Sequence, residues 1–403
     1  MALTILQNIG LTDPQSSEVT SNINEPTAAT NDRQLFMTGN WFASRSSDGG
    51  ANWTLVDPFT SFPASAGGFC CDQVVLFNPK FRIWIWLLQY SSAANGENIF
   101  RVSVSREATF GNWYYWDFAP RNLNATWTAN WFDYPDMAFT SEQLFITFNM
   151  FKGNDWQRAV VFRMPLTTLA SAGTLSYRWW QTTSNGSLRL SRGAASTMYM
   201  ASHNSVNQIR VLQWADSAAT VTTTDVNVRP WLGGAYSAPG PGGSNWLGRC
   251  DSRITGACVG GDVLTFMWSA NRDGSHPLPY IRVVRLRETT KALVAEPDLW
   301  SQSSAWAYPA AASNAQGVVG LSAFYGGGTR HPWHVVGTLS AANNWSTAVS
   351  ATSTHSPPSG AWGDYVSCVP HQPASAQWVA SGYTLRGGTD RRNIEPRYVR
   401  FRA

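Results

Sequence analysis

What most constrains the fold of this chain is a weak repeat. Seven times along its 403 residues a polar or Gly/Pro-marked opener precedes apolar, β-rich runs. The openers are Asn24-Glu25-Pro26, Cys71-Asp72-Gln73, Asp133-Tyr134-Pro135-Asp136, Ser191-Arg192-Gly193, Arg249-Cys250-Asp251-Ser252-Arg253, Tyr308-Pro309-Ala310 and Trp362-Gly363-Asp364-Tyr365. From Pro26 to Asp364 the mean spacing is about 56 residues, a little above the length of common four-stranded propeller blades.

Each unit divides further. In the second, Val74–Phe77, Ile83–Tyr90, Ile99–Val104 and Trp113–Trp116 are separated by turns such as Asn78-Pro79-Lys80 and Asn95-Gly96, which is the pattern of a meander. The third and fifth units repeat it. Charged residues make up only 13% of the chain and aromatic residues another 13%, with 21 Trp, a balance that suits short, half-buried strands better than amphipathic helices. The nearest helical candidate, Leu166 to Ala172, is too short to stand alone. The last unit supplies three strand-like runs, while Leu3–Ile9 stands unattached before the first. Pairing the first strand into the last blade closes the ring and leaves no open sheet edge. The expected fold is therefore all-β: a seven-bladed β-propeller of four-stranded antiparallel blades, one domain over residues 1–403, with blades opening near 24, 71, 133, 191, 249, 308 and 362. The stretch from Ala235 to Gly243 reads as the loop between the fourth and fifth blades.

One turn carries a family resemblance. Ser46-Ser47-Asp48-Gly49-Gly50-Ala51-Asn52-Trp53 is a hairpin sequence, because Asp-Gly-Gly supplies positive-φ positions. With Ser46, Asp48, Gly50 and Trp53 it resembles the Asp-box of the sialidase-like (BNR) β-propellers. Ser269 to Gly274 is a degenerate second copy, and Trp362-Gly363-Asp364-Tyr365 is similar to the last blade of bacterial BNR-like proteins of unassigned activity. The resemblance implies the fold; the box is a structural hairpin and says little about chemistry. Sialidases of the family use three arginines on a substrate carboxylate, a Tyr activated by a Glu, and an Asp as acid/base. By residue type and expected position, Arg192, Arg253, Tyr365, Glu25 and Asp133 are the counterparts the resemblance suggests. The family's first arginine lies in an Arg-Ile-Pro motif near the N-terminus; the nearest string here, Arg163-Met164-Pro165, is in mid-chain, so no role is carried to Arg163.

Innermost strands of a propeller converge on one channel, so the openers should meet at its rim. They differ from blade to blade, which points to one asymmetric pocket rather than seven equal lectin sites. Asp133, Asp364, Tyr365, Tyr134 and Glu25 are the candidate catalytic residues: paired carboxylates divide acid and base roles when their environments separate them. Tyr134 or Tyr365 is the alternative proton-transfer group, for β-elimination. Arg192, Arg249, Arg253, Asp72, Asp136, Asp251, Trp131 and His331 are the candidate substrate-binding residues, Arg for a planar carboxylate fork and Trp131 or Trp246 for stacking on a sugar ring. Any single Asp at a strand start is more often a turn residue; it is the number converging that argues for a site.

The expected function is a carbohydrate-active enzyme, a glycoside hydrolase or lyase acting on an acidic glycan in the axial pocket. The alternatives are a lectin-like or protein-binding propeller without catalysis, or an enzyme of small-molecule metabolism using the same rim. A glycan or small-molecule ligand is the expected partner of a monomer. The formal charge of +4 with no Lys/Arg run does not suggest nucleic acid. No apolar stretch is long enough to span a membrane. The N-terminus lacks a signal-peptide pattern, so the protein is either cytoplasmic or has lost a leader, with a secreted or cell-surface location placed ahead. No cofactor is expected, since there is no Gly-rich phosphate loop, and no metal, since His331 and His334 lack a third ligand. Of five cysteines, Cys250 and Cys258 are candidates to pair. Adjacent Cys70 and Cys71 are expected as buried thiols, with a vicinal disulfide as the alternative.

Overall fold

The computed structural model describes residues 3–11, 21, 23–314, 316–357, 360–387 and 393–403. Over these residues the chain forms seven four-stranded antiparallel sheets, six of them meanders of consecutive strands and the seventh completed by the first strand of the chain. The innermost strands are Thr27–Asn31, Phe69–Asn78, Asn130–Phe139, Arg189–Leu190, Ile254–Gly260, Ala305–Ser313 and Ser367–Pro370. Strand Thr4–Gly10 is the outermost strand of the seventh blade, pairing with Ile394–Arg402 in a register that runs from Thr4 opposite Arg402 to Gly10 opposite Arg397. Blades one and seven also meet at the axis. There the Ala28 amide donates to Ser367 Oγ at 3.1 Å, and Ser381 Oγ donates to the Pro26 carbonyl at 2.6 Å.

Blades pack face to face, so their middle strands are covered on both sides. Ile83–Tyr90, Ile-Trp-Ile-Trp-Leu-Leu-Gln-Tyr, is buried at every position, which is why it reads as a continuous apolar run and not as an alternation. Aromatic rings fill the wedges: Phe100 of blade two packs against Phe148 and Phe162 of blade three, at centroid distances of 4.3 and 5.0 Å. Residues Leu166–Ser171, set aside above as too short for a helix, do form a helical turn. Leu166 and Leu169 are buried beneath it, so tertiary packing supplies what isolated propensity does not.

The Ser46–Trp53 turn joins the third and fourth strands of blade one. Ser46 Oγ donates to Asp48 Oδ1 at 2.7 Å and accepts the Gly50 amide at 2.9 Å, and the Asn52 amide donates to Asp48 Oδ1 at 2.9 Å. These bonds hold the Asp48 carboxyl below its usual range. The hairpin leans on the closing strand: Gln7 Nε2 donates to the Gly49 carbonyl at 2.6 Å, and Trp53 lies 6.0 Å from the Tyr398 ring.

The cysteine expectations are corrected. Cys70 and Cys71 are disulfide-bonded and only half-buried, whereas Cys250, Cys258 and Cys368 are free. Among the described residues no helix is long and apolar enough to cross a membrane.

Candidate functional site at the mouth of the channel

Three openers share one backbone device. Glu25, Tyr134 and Tyr308 each precede a proline and each adopt a positive φ, of 47°, 56° and 57°. For Tyr134 and Tyr308 this coincides with register breaks between Asp133 and Asp136 and between Ala307 and Ala310. A left-handed non-glycine residue before proline is doubly disfavoured, so surrounding packing must hold it there. The bulge turns the side chain off the sheet plane toward the axis.

The inward groups form a graded cluster. Glu25, Asp72, Tyr134 and Tyr365 are buried at its base. Above them the side chain of Asp364 is 17% exposed, Arg253 26% and Arg249 48%. Glu25 Oε1 accepts the Asp364 amide and Glu25 Oε2 accepts Asn40 Nδ2, both at 2.8 Å. Burial, reinforced by the charge of Asp364, lifts the Glu25 carboxyl to about 7. Asp72, within hydrogen-bonding reach of Glu25, is pushed well above the carboxylate range by burial and by Glu25, Asp133 and Asp364 around it. Gln89 Nε2 donates to Asp133 Oδ1 at 3.0 Å.

The arginines arrive from a long connection. Residues 228–253 leave the last strand of blade four, bury Trp246, and lie against the loop before blade seven. Ser244 Oγ donates to the Pro357 carbonyl at 2.6 Å, and a Cβ on Gly248 would stand 3.1 Å from the Gly360 carbonyl oxygen. This apposition brings Arg253 Nη2 to 3.0 Å from Asp364 Oδ1 and Arg249 Nη2 to 3.4 Å from Asp364 Oδ2. Arg253 Nε is 2.6 Å from Asp251 Oδ2, and its guanidinium lies 4.3 Å from the centre of the Tyr134 ring. The Tyr134 and Tyr365 rings are 6.1 Å apart, and neither hydroxyl has a hydrogen-bond partner among the described residues. Burial pushes both phenols above their ordinary range.

Glu25, Asp72, Asp133, Tyr134, Arg249, Asp251, Arg253, Asp364 and Tyr365 are therefore brought together. The remaining expected residues lie elsewhere. Asp136 and Arg192 sit deeper in the channel, where Arg192 Nη2 donates to Asp136 Oδ1 at 2.7 Å; the bulge at Tyr134 separates Asp136 from the mouth. Trp131 stacks on Phe151 at 5.1 Å and donates to the Gly153 carbonyl at 2.8 Å. Trp246 is fully buried against Tyr308 and Trp362, so it has no face for a sugar. His331 is in the sixth blade's third strand, bonded to Ser356 Oγ at 3.0 Å. His334, fully buried, bonds Ser322 and Ser350. Arg163 is structural, its Nη1 donating to the carbonyls of Ala215 and Ala218.

Sequence reasoning passed over Tyr308, Tyr383 and Arg189. The first was findable from the shared X-Pro opener. Tyr383 comes from a second strand and stacks on Trp362 at 4.7 Å with Gly363 close to its hydroxyl, a placement with no sequence signature. Among the described residues no group of three or more His, Cys, Asp or Glu side chains could hold a metal.

Fold and cluster together define an asymmetric propeller with one acid-rich axial site. No family model matches the chain, and no curated protein matches it. Solved structures similar to it include the GH93 α-L-arabinofuranosidase of Fusarium graminearum in complex with arabinobiose, at 12% identity and a TM-score of 0.49, covering 98% of this chain and 97% of that one. The Penicillium chrysogenum α-L-arabinanase complexed with arabinobiose gives 10% and 0.46, with 98% of each chain covered. The Trypanosoma rangeli sialidase in complex with sialic acid gives 10% and 0.47, with 99% of this chain and 60% of that one covered. At these identities and scores no residue's role is transferred from any of them.

Proposed function

We propose that the protein is a carbohydrate-active enzyme, a glycoside hydrolase working at the channel mouth by acid/base catalysis. One observation carries the reading: a buried carboxyl, Glu25, held at about 7 within a rim of hydrogen-bonding groups, is a proton donor suited to neutral pH. Its neighbours suit a sugar. The unpartnered hydroxyls of Tyr134 and Tyr365 would meet ligand hydroxyls, and Asp364, with a second carboxylate at Asp133, would stabilise positive charge developing at the anomeric carbon. Hydrolysis is favoured over elimination because burial keeps both phenols protonated, leaving no phenolate to abstract a proton.

The expected acidic glycan is narrowed by the same geometry. Arg253 is already engaged by Asp251 and Asp364, whereas Arg249 is half-exposed and only loosely paired. Arg249 is therefore the group we assign to a substrate carboxylate.

The test is hydrolysis of a panel of aryl glycosides and oligosaccharides, neutral and uronate-bearing. Glu25→Gln and Asp364→Asn, shown folded by circular dichroism, should each lower kcat on a responsive substrate by about a hundredfold or more. Full activity in both would sink the assignment.

A further inference from the structure

The flank of the ring between blades one and two carries an open cleft of about 300 Å³, within the range of small-ligand sites. One wall is the outer edge of blade one, from Thr54 to Asp57, and the other is the approach to the last strand of blade two, with Gly111 and Trp113. Trp113 is only half-buried. Its ring packs on Phe36 at 5.7 Å and meets Trp86 edge-on at 5.3 Å, so the blade core holds it rigid where it lines the cleft. Two charged side chains line the same cleft, and each is pinned from behind. Arg45 lies against Gly111, where a Cβ would stand 1.7 Å from Nη1, and that nitrogen donates to the Phe110 carbonyl at 2.9 Å. No nitrogen of Arg45 is both buried and unpaired, so the N–H groups it has left over reach solvent. Asp57 is exposed; its Oδ1 accepts the Phe59 amide and its Oδ2 the Thr60 hydroxyl, both at 2.9 Å, and each oxygen keeps a lone pair.

An indole ring flanked by one fixed cation and one fixed anion makes a site with no net charge, with donors and acceptors set at its edge. A carboxylate would pair with Arg45 but face Asp57, and an ammonium group would meet the reverse. A sugar ring suits all three groups: its C–H face lies on the indole, while its hydroxyls donate to Asp57 and accept from Arg45. We infer that this cleft binds a neutral saccharide on the Trp113 ring, as a second carbohydrate site outside the channel. Because both charged side chains are already held, little of their freedom is lost on binding. The cleft shares no residue with the mouth that carries Glu25, and its assignment stands whether or not that mouth hydrolyses glycans.

Calorimetric titration of the full chain with maltopentaose, cellopentaose and xylopentaose tests the assignment, with Glu25→Gln present throughout so that the mouth does not consume the probe. At least one of the three should occupy a site whose affinity falls by at least about tenfold in Trp113→Ala and in Asp57→Ala. Arg249→Ala, at the mouth, should leave that affinity unchanged. Asp57 is exposed, so its replacement decides the matter if Trp113→Ala fails to fold. Binding of none of the three, or binding only at a site that Asp57→Ala leaves intact, would overturn the cleft. Hydrolysis of glycosides by the parent chain is read separately, so a silent cleft and an inactive mouth are told apart.

Discussion

Glu25 Oε1 accepts a hydrogen bond from the Asp364 amide at 2.8 Å, although the two residues lie 339 positions apart. The bond spans the junction between blades one and seven, so the geometry of the proposed proton donor depends on the ring being closed. A chain cut short of its seventh blade would lose the donor's environment along with the closure.

The pH dependence of stability follows from Glu25. Its folded value, about 7, lies above its ordinary value of 4.5. The folded state therefore binds the proton more tightly, and the contribution is fully present below about 4.5 and lost as pH rises through about 7. Asp72 acts in the same direction. Thermal unfolding followed between about pH 5 and about pH 8 should show a declining Tm whose slope is reduced in Glu25→Gln. An identical slope in parent and variant would remove Glu25 as the titrating group. Activity should fall along an alkaline limb near the same pH.

Arg253 joins Asp251, Asp364 and the Tyr134 ring. Arg253→Ala leaves two carboxylates without that partner and should lower stability by about 2 kcal/mol, measured by urea denaturation. Arg253→Lys should recover part of the stability but little of the activity, because an ammonium cannot reproduce a planar fork lying over a ring. Equal kcat/KM in parent and Arg253→Lys would contradict that role.

The Cys70–Cys71 bond lies immediately before Asp72, inside the register break between Phe69 and Gln73. A cross-link between adjacent residues closes almost no chain, so its entropic effect on unfolding is small. Its effect should instead be local, on the direction of Asp72. The Cys70→Ser/Cys71→Ser protein should melt within a few degrees of the parent. Its activity–pH profile should shift nonetheless. A large fall in Tm with an unchanged profile would show the reverse.

Gly50 has a φ of 92°, and a Cβ there would stand 2.5 Å from Ile9 Cδ1 on the closing strand. Gly50→Ala should cost about 1–2 kcal/mol through strain and displacement of that strand. Hydrogen exchange should show earlier opening of Thr4–Gly10 than of any other strand in that blade.

The seven-bladed architecture was legible because the repeat is set by burial: every blade must cover both faces, and its runs recur. The inward residues at the openers were legible for the same reason, since an opener has nowhere to go but the axis. Position within an opener was not. In Asp133-Tyr134-Pro135-Asp136 the bulge sends Tyr134 to the mouth and Asp136 down to Arg192, a separation set by one backbone angle that residue types do not encode. Trp246 failed as a stacking platform because the loop carrying it folds inward.

The left-handed turns before Pro26, Pro135 and Pro309 fix where a side chain aims independently of what it is. Whatever residue occupies positions 25, 134 or 308 is delivered to the same point in space, one as a carboxyl and two as phenols. A lineage or a laboratory could therefore exchange the reactive groups of such a ring one at a time, without rebuilding any blade.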